Sequence, residues 1–450
     1  MARNFIWIAP LALIAAAQSA KAVPAFSSQT GQPCSTCHIG SFGPELTAFG
    51  RDFKLTGYTI EGGDKKMPVS LMVQATYTNT SKGQAGGAAP DFGANGNFAF
   101  DQINLFLAGR VSNNVGGFVQ ATYSGIDHTY ALDNVDVRIV KDTIVGKHDL
   151  ELGLSVNNGP MVEDVYNTTY AWGYPYIASG LAPAPSASTV LGGPLLGDTL
   201  GVVGYGSFDQ KLLVEAGGYD SQAPGFMKIF GESYGPGAET GVAPYLRTAY
   251  DTDVGPADAH IGAAFITSRF NPAVDVATVE SSMGHDKYTD LAFDGGAQWV
   301  NSDTNQFTTN VLYNHEWRDL NGTTALGGAF QPTGNLSEIR ATGTYYYKNT
   351  YGFTAAWQNL SGSADPVLYG QGDPISGSAN GKPNSNAYIL EADYVPFGKD
   401  TSWGMPFANL KVGMQYTIYT EFNGGTTNYD GFGRNASDNN TLYLFLWTVF

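Results

Sequence analysis

Residues 69–450 alternate apolar and polar side chains over runs of roughly ten residues, which is the pattern of strands that cross a membrane as a barrel. In residues 69–77 the apolar positions are every second residue, from Val69 to Tyr77. The same alternation recurs in residues 150–156 and 410–418. A soluble antiparallel sandwich can alternate in the same way, so this pattern by itself leaves two fold classes open.

The spacing of the connections favours the membrane barrel. We count about 16 strands, an even number, as is typical of bacterial outer-membrane barrels, whose short turns and long loops lie at opposite ends. Short turns are predicted at 112–116, 208–210, 301–305 and 348–350, and long loops at 80–96, 159–198, 220–241, 268–284 and 361–385. The connection 125–129 is an exception, since it is short where a long loop is expected. The alternation also points a set of polar side chains into the lumen: Asn134, Asp136, Arg138, Asp149, Glu151, Glu338, Arg340, Glu391 and Asp393.

Both ends of the chain carry signals of export and assembly. Arg3, an apolar run over 5–17 and the Ala20-Lys21-Ala22 site predict a signal peptide over 1–22. No later apolar run approaches the roughly 20 residues that a transmembrane helix needs. The last strand carries Leu442, Leu444 and Leu446 on one face and ends on Phe450, like the strand that outer-membrane assembly machinery reads.

Composition restricts the partners. The chain has 23 Lys and Arg against 40 Asp and Glu. This acidic balance excludes a nucleic-acid partner, which requires a basic surface. An acidic lumen favours cations instead.

Cys34, Cys37 and His38 form a C-x-x-C-H motif, and these are the two cysteines of the chain. This spacing is the signature of c-type haem attachment, in which both thiols bond the macrocycle and the histidine ligates iron. A thioredoxin-type site would need a βαβ pattern, and a zinc site would need further Cys or His ligands nearby. We therefore predict one covalent haem c. A helix is expected between Pro44 and Gly57, packed on the barrel wall or over the haem.

The second axial ligand has three candidates. Met72 lies early on the first strand and, by the alternation, points into the lumen. Met67 precedes that strand, and His260 lies across the barrel with a predicted inward orientation. His148 is expected to point outward. We predict Met72 as the ligand, with a packing role as the alternative, since methionine often fills irregular gaps.

The chain resembles the outer-membrane fused monohaem cytochrome c–porins over essentially the whole mature sequence. The matching stretches are VPAF at 23–26, QTG at 29–31, CSTCH at 34–38, PELTAFGR at 44–51, FKLTGY at 53–58, NTT at 167–169, AWG at 171–173 and NYDG at 428–431. The resemblance implies an all-β transmembrane barrel of about 16 strands, residues 68–450, preceded by a short α-helical monohaem cytochrome c segment, residues 23–67. It also implies haem attachment to Cys34 and Cys37, and iron ligation by His38.

Two functions are expected of such a chain in the bacterial outer membrane, among its lipids. In the first, an extracellular reductant such as Fe²⁺ gives an electron to the haem, and a periplasmic carrier such as a soluble cytochrome collects it. In the second, the barrel is a diffusion porin whose haem segment is a plug or redox gate, with the loop 159–198 folded inward. The donor and the direction of electron flow stay open.

Overall fold

The computed structural model describes residues 25–63, 68–168, 177–193, 195, 198–230, 237–273, 284–300, 304–399 and 408–450. The predicted signal peptide, the candidate ligand Met67 and the AWG stretch lie outside the described residues.

One antiparallel sheet forms a closed barrel. It contains seventeen strands, of which β8 has only two residues and the other sixteen form the wall. The strands are β1 (Val69–Thr80), β2 (Asn97–Ser112), β3 (Val115–Ser124), β4 (Thr129–Val145), β5 (His148–Asn157), β6 (Thr199–Phe208), β7 (Leu212–Ser221), β8 (Ala238–Glu239), β9 (Ala243–Val254), β10 (Ala257–Asn271), β11 (Asp286–Trp299), β12 (Asn305–Asp319), β13 (Thr333–Tyr347), β14 (Tyr351–Gly362), β15 (Ser385–Tyr394), β16 (Asn409–Glu421) and β17 (Thr441–Val449). The first and last strands close the wall, with Met72 opposite Val449 and Thr80 opposite Thr441.

Side chains alternate between a lipid-facing and a lumenal surface. On β1, Leu71 is 36% exposed while Met72 is 8% exposed, as the sequence predicts. Large apolar side chains form the outer face, among them Leu105, Leu107, Val202, Leu246, Phe293, Val311, Phe353 and Leu390. A closed wall leaves no unpaired edge in the bilayer. The chain is therefore a transmembrane β-barrel of the outer-membrane type, and the predicted fold class is confirmed.

Connections of two kinds lie at the two ends of the barrel. At one end, called here the short-turn end, the connections 113–114, 146–147, 209–211, 255–256 and 348–350 are tight. At the other end, the long-loop end, the strands are joined by 81–96, 158–198, 222–242, 363–384 and 422–440. The connection 125–128 is short at the long-loop end, as the sequence indicated. Most of the predicted lumenal polar residues are buried, but Asp149 is exposed beside the turn that carries Asp209.

The N-terminal segment, residues 25–63, lies in the lumen near the short-turn end. It contains helices α1 (Ala25–Thr30), α2 (Cys34–Cys37) and α3 (Ala48–Leu55), with a 3₁₀ turn at Ile39–Ser41. Its backbone meets inward-facing wall residues: Asn409 donates to the Ser41 carbonyl at 2.6 Å, and the Gly40 amide donates to Gln306 at 3.2 Å. None of the helices in the described ranges is long and apolar enough to cross a membrane.

The predicted helix between Pro44 and Gly57 is shorter than expected. It starts at Ala48 because the Thr47 hydroxyl caps it, accepting from the Gly50 amide at 3.2 Å. Phe53 is 4% exposed and packs edge-on against Phe26, so this face packs within the segment itself. The remaining helices are α4 (Pro160–Glu163), α5 (Pro224–Phe230) and α6 (Asn321–Ala325), with a second 3₁₀ turn at Ala436–Asn439.

The long loop between β5 and β6 folds into the lumen over its described residues. Its α4 turn is buried, and Val162 and Glu163 have no exposed surface. Further along, the Val190 amide donates to Glu316 on β12 at 2.6 Å. A hydrophobic cluster joins this loop to the inner wall: Met161, Val190, Leu191, Leu195, Val203, Tyr219, Ala243, Tyr245, Ala264, Ile266, Phe270, Ala292 and Leu312. The loop and the N-terminal segment together occupy much of the barrel interior.

Candidate cofactor site in the lumen

The C-x-x-C-H motif forms one helical turn followed by an extended residue. The His38 amide donates to the Cys34 carbonyl at 2.9 Å, which closes the turn. Residues three apart on a helix are neighbours on one face, so the turn brings Cys34 and Cys37 together. His38 follows with φ −121° and ψ 135°. Three groups of the right chemical types therefore extend from a single turn.

Helix α3 is fastened against this turn. The Thr47 amide donates to the Cys37 carbonyl at 3.0 Å, and the Thr47 hydroxyl donates to the Thr36 carbonyl at 2.5 Å. Gly50 makes the close approach possible, because a Cβ there would overlap the Cys37 carbonyl oxygen. Any side chain at position 50 would push α3 away from the motif.

The motif side chains are protonated thiols and a neutral imidazole. Burial raises the pKa of Cys34 to about 11, and burial together with the neighbouring Cys34 raises that of Cys37 to about 12. Burial lowers the pKa of His38 to about 4, against the opposite influence of the Gly43 and Glu45 carbonyls. A neutral imidazole is the form that ligates a metal.

The residues present fit a covalently attached haem. Cys34 and Cys37 are partly buried and are not joined in a disulfide. The Nδ1 atom of His38 is shielded from solvent and makes no hydrogen bond within the described residues. Two thiols and an imidazole on one turn are the groups that a c-type haem requires.

A cavity of about 650 Å³ adjoins the motif at the short-turn end. Its lining includes Ser35 and Thr36, the two residues between the cysteines, and Phe49 of α3. Cys34, Cys37 and His38 are not among the residues that line it. The turn that carries the cysteines thus borders an open volume at the rim of the barrel.

Met72, the predicted second axial ligand, lies in an apolar cluster that contacts the segment just after His38. The Trp447 indole N–H donates to the Met72 sulfur at 2.6 Å, and the Phe42 ring meets Trp447 at 5.0 Å between centroids. The cluster consists of Phe42, Met72, Ile177, Val395, Tyr443, Phe445 and Trp447. Met72 therefore points into the lumen, and its role as an iron ligand stays a prediction.

The candidate His260 has different surroundings. It also points inward, at 7% exposure, but it stacks on Tyr166 with ring centroids 4.1 Å apart. Its Nε2 lies 3.6 Å from Asp294. His148 is exposed and pairs with Asp209 at 2.6 Å, in agreement with its predicted outward position. The structure thus places Met72 beside the haem-motif segment and His260 beside charged residues.

Sequence reasoning missed the side chains that hold the N-terminal segment in place. Arg51 of α3 pairs with Asp251, at 3.1 Å, and with Asp258 at the short-turn end. Lys54 donates to the Val162 carbonyl at 2.5 Å and to the Asp164 carbonyl at 3.1 Å. Their three-residue spacing places both cations on one face of α3, but their partners lie about 100 or more positions away and no local pattern identifies them.

We expect Met72→Ala to lower the haem potential or to open the second axial position, since a thioether ligand raises the potential relative to a second histidine. Near-infrared magnetic circular dichroism and a redox titration measure the two quantities. Met414→Ala is the matched control, because Met414 is 52% exposed on the lipid face. His260→Ala should have a smaller effect. A bis-histidine spectrum in the unaltered protein would exclude Met72.

No family model and no curated protein matches this chain. Among solved structures it is similar to OmpF of Salmonella typhi in complex with daunomycin, at 10% identity and a TM-score of 0.47, covering 85% of this chain and 97% of that one. OprB of Pseudomonas putida is similar at 10% identity and 0.46, covering 85% and 94%. The outer-membrane channel DcaP of Acinetobacter baumannii is similar at 10% identity and 0.44, covering 85% and 96%. At these scores the likenesses identify no family, and the closed wall and its apolar outer face are what define this chain as a transmembrane barrel.

Proposed function

We propose that the protein transfers electrons across the bacterial outer membrane through one c-type haem held in its lumen, as in the fused monohaem cytochrome c–porins that it resembles. The observation that carries this proposal is the position of the Cys34-x-x-Cys37-His38 turn, inside a closed transmembrane barrel near the short-turn end. When bound there, the haem supplies a one-electron redox centre. Cys34 and Cys37 would hold it, and His38 would ligate its iron.

The thickness of the membrane determines which electron donor and acceptor can reach a single haem. The hydrocarbon core is about 30 Å thick, so one haem near the short-turn end is close to only one face. In outer-membrane barrels the short turns face the periplasm. A soluble periplasmic carrier would therefore collect the electron at the cavity beside Ser35 and Phe49. The reductant would have to enter the lumen from the long-loop end, and an acidic chain favours a cation such as Fe²⁺ there.

The buried interior argues against free diffusion of solutes through the barrel. Arg138, Glu163 and Arg247 are lumenal side chains with 2% exposure or less, which is not how residues that line an open aqueous channel behave. The second candidate is a gated porin in which the N-terminal segment is the plug. The ion pairs of Arg51 at the short-turn end support it, because they are contacts that a plug would break on opening.

Haem reduction and conductance of the same preparation separate the two candidates. We expect stopped-flow mixing with Fe²⁺ and other small reductants to reduce the haem, and a soluble cytochrome inside proteoliposomes to be reduced in turn. The barrel with Cys34 and Cys37 replaced by serine is the control, since it keeps the wall and loses the attachment site. Haem that is not reduced by any external donor, together with porin-like conductance in planar bilayers, would favour the gated porin.

A further inference from the structure

A cluster of charged side chains lies in the lumen where the β5–β6 loop meets the wall. We call it the lumen charge cluster. It contains five carboxylates and three basic groups, and each of the eight is at most 7% exposed: Asp136, Glu163, Asp164, Glu215, Asp294, Lys54, Arg138 and Arg247. Carboxyl groups therefore outnumber the basic groups in a region closed to solvent.

Four of the carboxylates have a basic partner. Arg138 pairs with Asp136 at 2.8 Å and with Glu163 at 3.3 Å. Arg247 pairs with Asp164 at 3.1 Å and with Asp294 at 2.9 Å.

Glu215 is the exception. It is fully buried on β7, and neither of its carboxylate oxygens has a hydrogen-bond partner within the described residues. Its cross-strand neighbour is Arg247, whose terminal nitrogens bond Asp164 and Asp294 instead. Burial without hydrogen bonds disfavours the ionised form of Glu215, and the positive charges of Arg138 and Arg247 beside it favour that form, so its protonation responds to a further charge in the lumen. The described residues hold no group of three or more His, Cys, Asp or Glu side chains placed to bind a metal ion, whereas a proton needs a single carboxylate oxygen.

We propose that Glu215 is a proton-binding site and that it takes up a proton when the haem is reduced, an inference that rests on the proposed function. In this step an external one-electron donor would supply an electron to a haem held by Cys34, Cys37 and His38, and Glu215 would start as the ionised carboxylate. A proton from bulk water bonds to one Glu215 oxygen, giving the neutral carboxylic acid. One electron and one proton enter the barrel, so the charge of the lumen is unchanged.

The N-terminal segment links the two sites. Helix α3 follows the haem motif directly, and its Lys54 ammonium reaches the loop carbonyls of Val162 and Asp164 beside the cluster. A charge added in the lumen acts on the buried Glu215 with less screening by salt than it would on a carboxylate at the surface. A negative charge nearby favours the protonated form of a carboxyl group.

Several titratable and charged groups face Glu215 and set its proton affinity. They are Tyr219 on β7, Tyr205 on β6, Arg247 and Tyr245 on β9, Arg138 on β4, and Glu163 and Asp164 on the β5–β6 loop. Asp136 on β4 and Lys54 on α3 act on Glu215 through Arg138, Glu163 and Asp164. Asp294 and the adjacent His260 affect the proton affinity of Glu215 indirectly, because Asp294 pairs with Arg247.

Infrared difference spectroscopy of the haem-loaded barrel tests the proposal. The reduced-minus-oxidised spectrum should show a positive carboxylic C=O band that shifts in D₂O and is absent from Glu215→Gln. The haem midpoint potential should fall as pH rises, by up to about 59 mV per pH unit for one proton per electron, and this slope should flatten in Glu215→Gln. Glu338→Gln is the control, because Glu338 is also buried and lumenal but has Gln358 as a partner at 2.8 Å; it should keep the band and the slope.

Glu215→Asp serves if the glutamine variant does not fold, since it keeps a carboxyl group and should move the band without removing it. A pH-independent potential in haem-loaded protein, or a band that persists in Glu215→Gln, would overturn the inference and leave the proposed function intact. A barrel that never acquires covalent haem would overturn both, and a haem-stained gel distinguishes that case.

Discussion

A chain in which both Cys34 and Cys37 are serine should carry no covalent haem. Each thioether needs a thiol, and these are the two cysteines of the sequence. Either single serine variant should keep one thioether and show a shifted haem spectrum. Haem-stained denaturing gels and the pyridine haemochrome spectrum measure the result. Ser35→Ala is the control, because it changes a residue of the same turn and keeps both thiols.

The barrel itself should survive this double substitution. The wall is held by strand pairing all the way round, including the seam between β1 and β17, and no pairing of the wall involves the motif. Circular dichroism should therefore show an unchanged strand content. Covalent haem that persists in the double variant would contradict the attachment site, whereas loss of strand content would show that attachment is needed for folding.

Removing both cations of α3, by Arg51→Ala with Lys54→Met, should release the N-terminal segment from the lumen. Arg51 is 6% exposed and holds two carboxylates, and Lys54 is 6% exposed and holds two carbonyls of the β5–β6 loop. Asp251 and Asp258 are partly exposed, so losing Arg51 should cost more than the roughly 0–1 kcal/mol of a surface pair and less than the roughly 3–5 kcal/mol of a fully buried one. Because Lys54 also holds the β5–β6 loop, the N-terminal segment and this loop should loosen together.

Planar-bilayer conductance and limited proteolysis report this release. We expect larger single-channel conductance and faster cleavage between residues 25 and 63 than in the unaltered barrel. Lys211→Met is the matched control, since Lys211 lies exposed in the 209–211 turn and should change neither quantity. Unchanged conductance in the double variant would mean that other contacts hold the segment.

Much of the architecture follows from local pattern. A strand with one face in lipid and one in the lumen must alternate apolar and polar side chains. The positions of β1, β5 and β16 can therefore be predicted from their own residues. Once the strands are placed, the short turns and the long loops between them can be predicted as well. The C-x-x-C-H motif is also local, because its chemistry needs three groups on one short turn.

The contacts that fill the lumen depend instead on register around the closed sheet. Glu215 lies opposite Arg247 because β7 pairs with β9, and the residues near position 215 do not predict this neighbour. The helix α3 was predicted to start near Pro44 and Glu45, but it starts at Ala48 because Thr47 is its N-cap. The partners of Arg51 and Lys54 belong to this long-range class as well.

The seam between β1 and β17 sets an order of events in biogenesis. The strand that follows the haem motif must pair with β17, so no enclosed lumen exists until β17 has been made and exported. The N-terminal segment sits inside that lumen, with α2 packed against the 395–399 connection. We therefore expect the periplasmic ligation machinery to act on an open chain, and the loaded segment to be wrapped by the wall as it closes. A cell that cannot attach haem would then accumulate the haem-free chain before membrane insertion, at the stage where chaperones and proteases still have access to it.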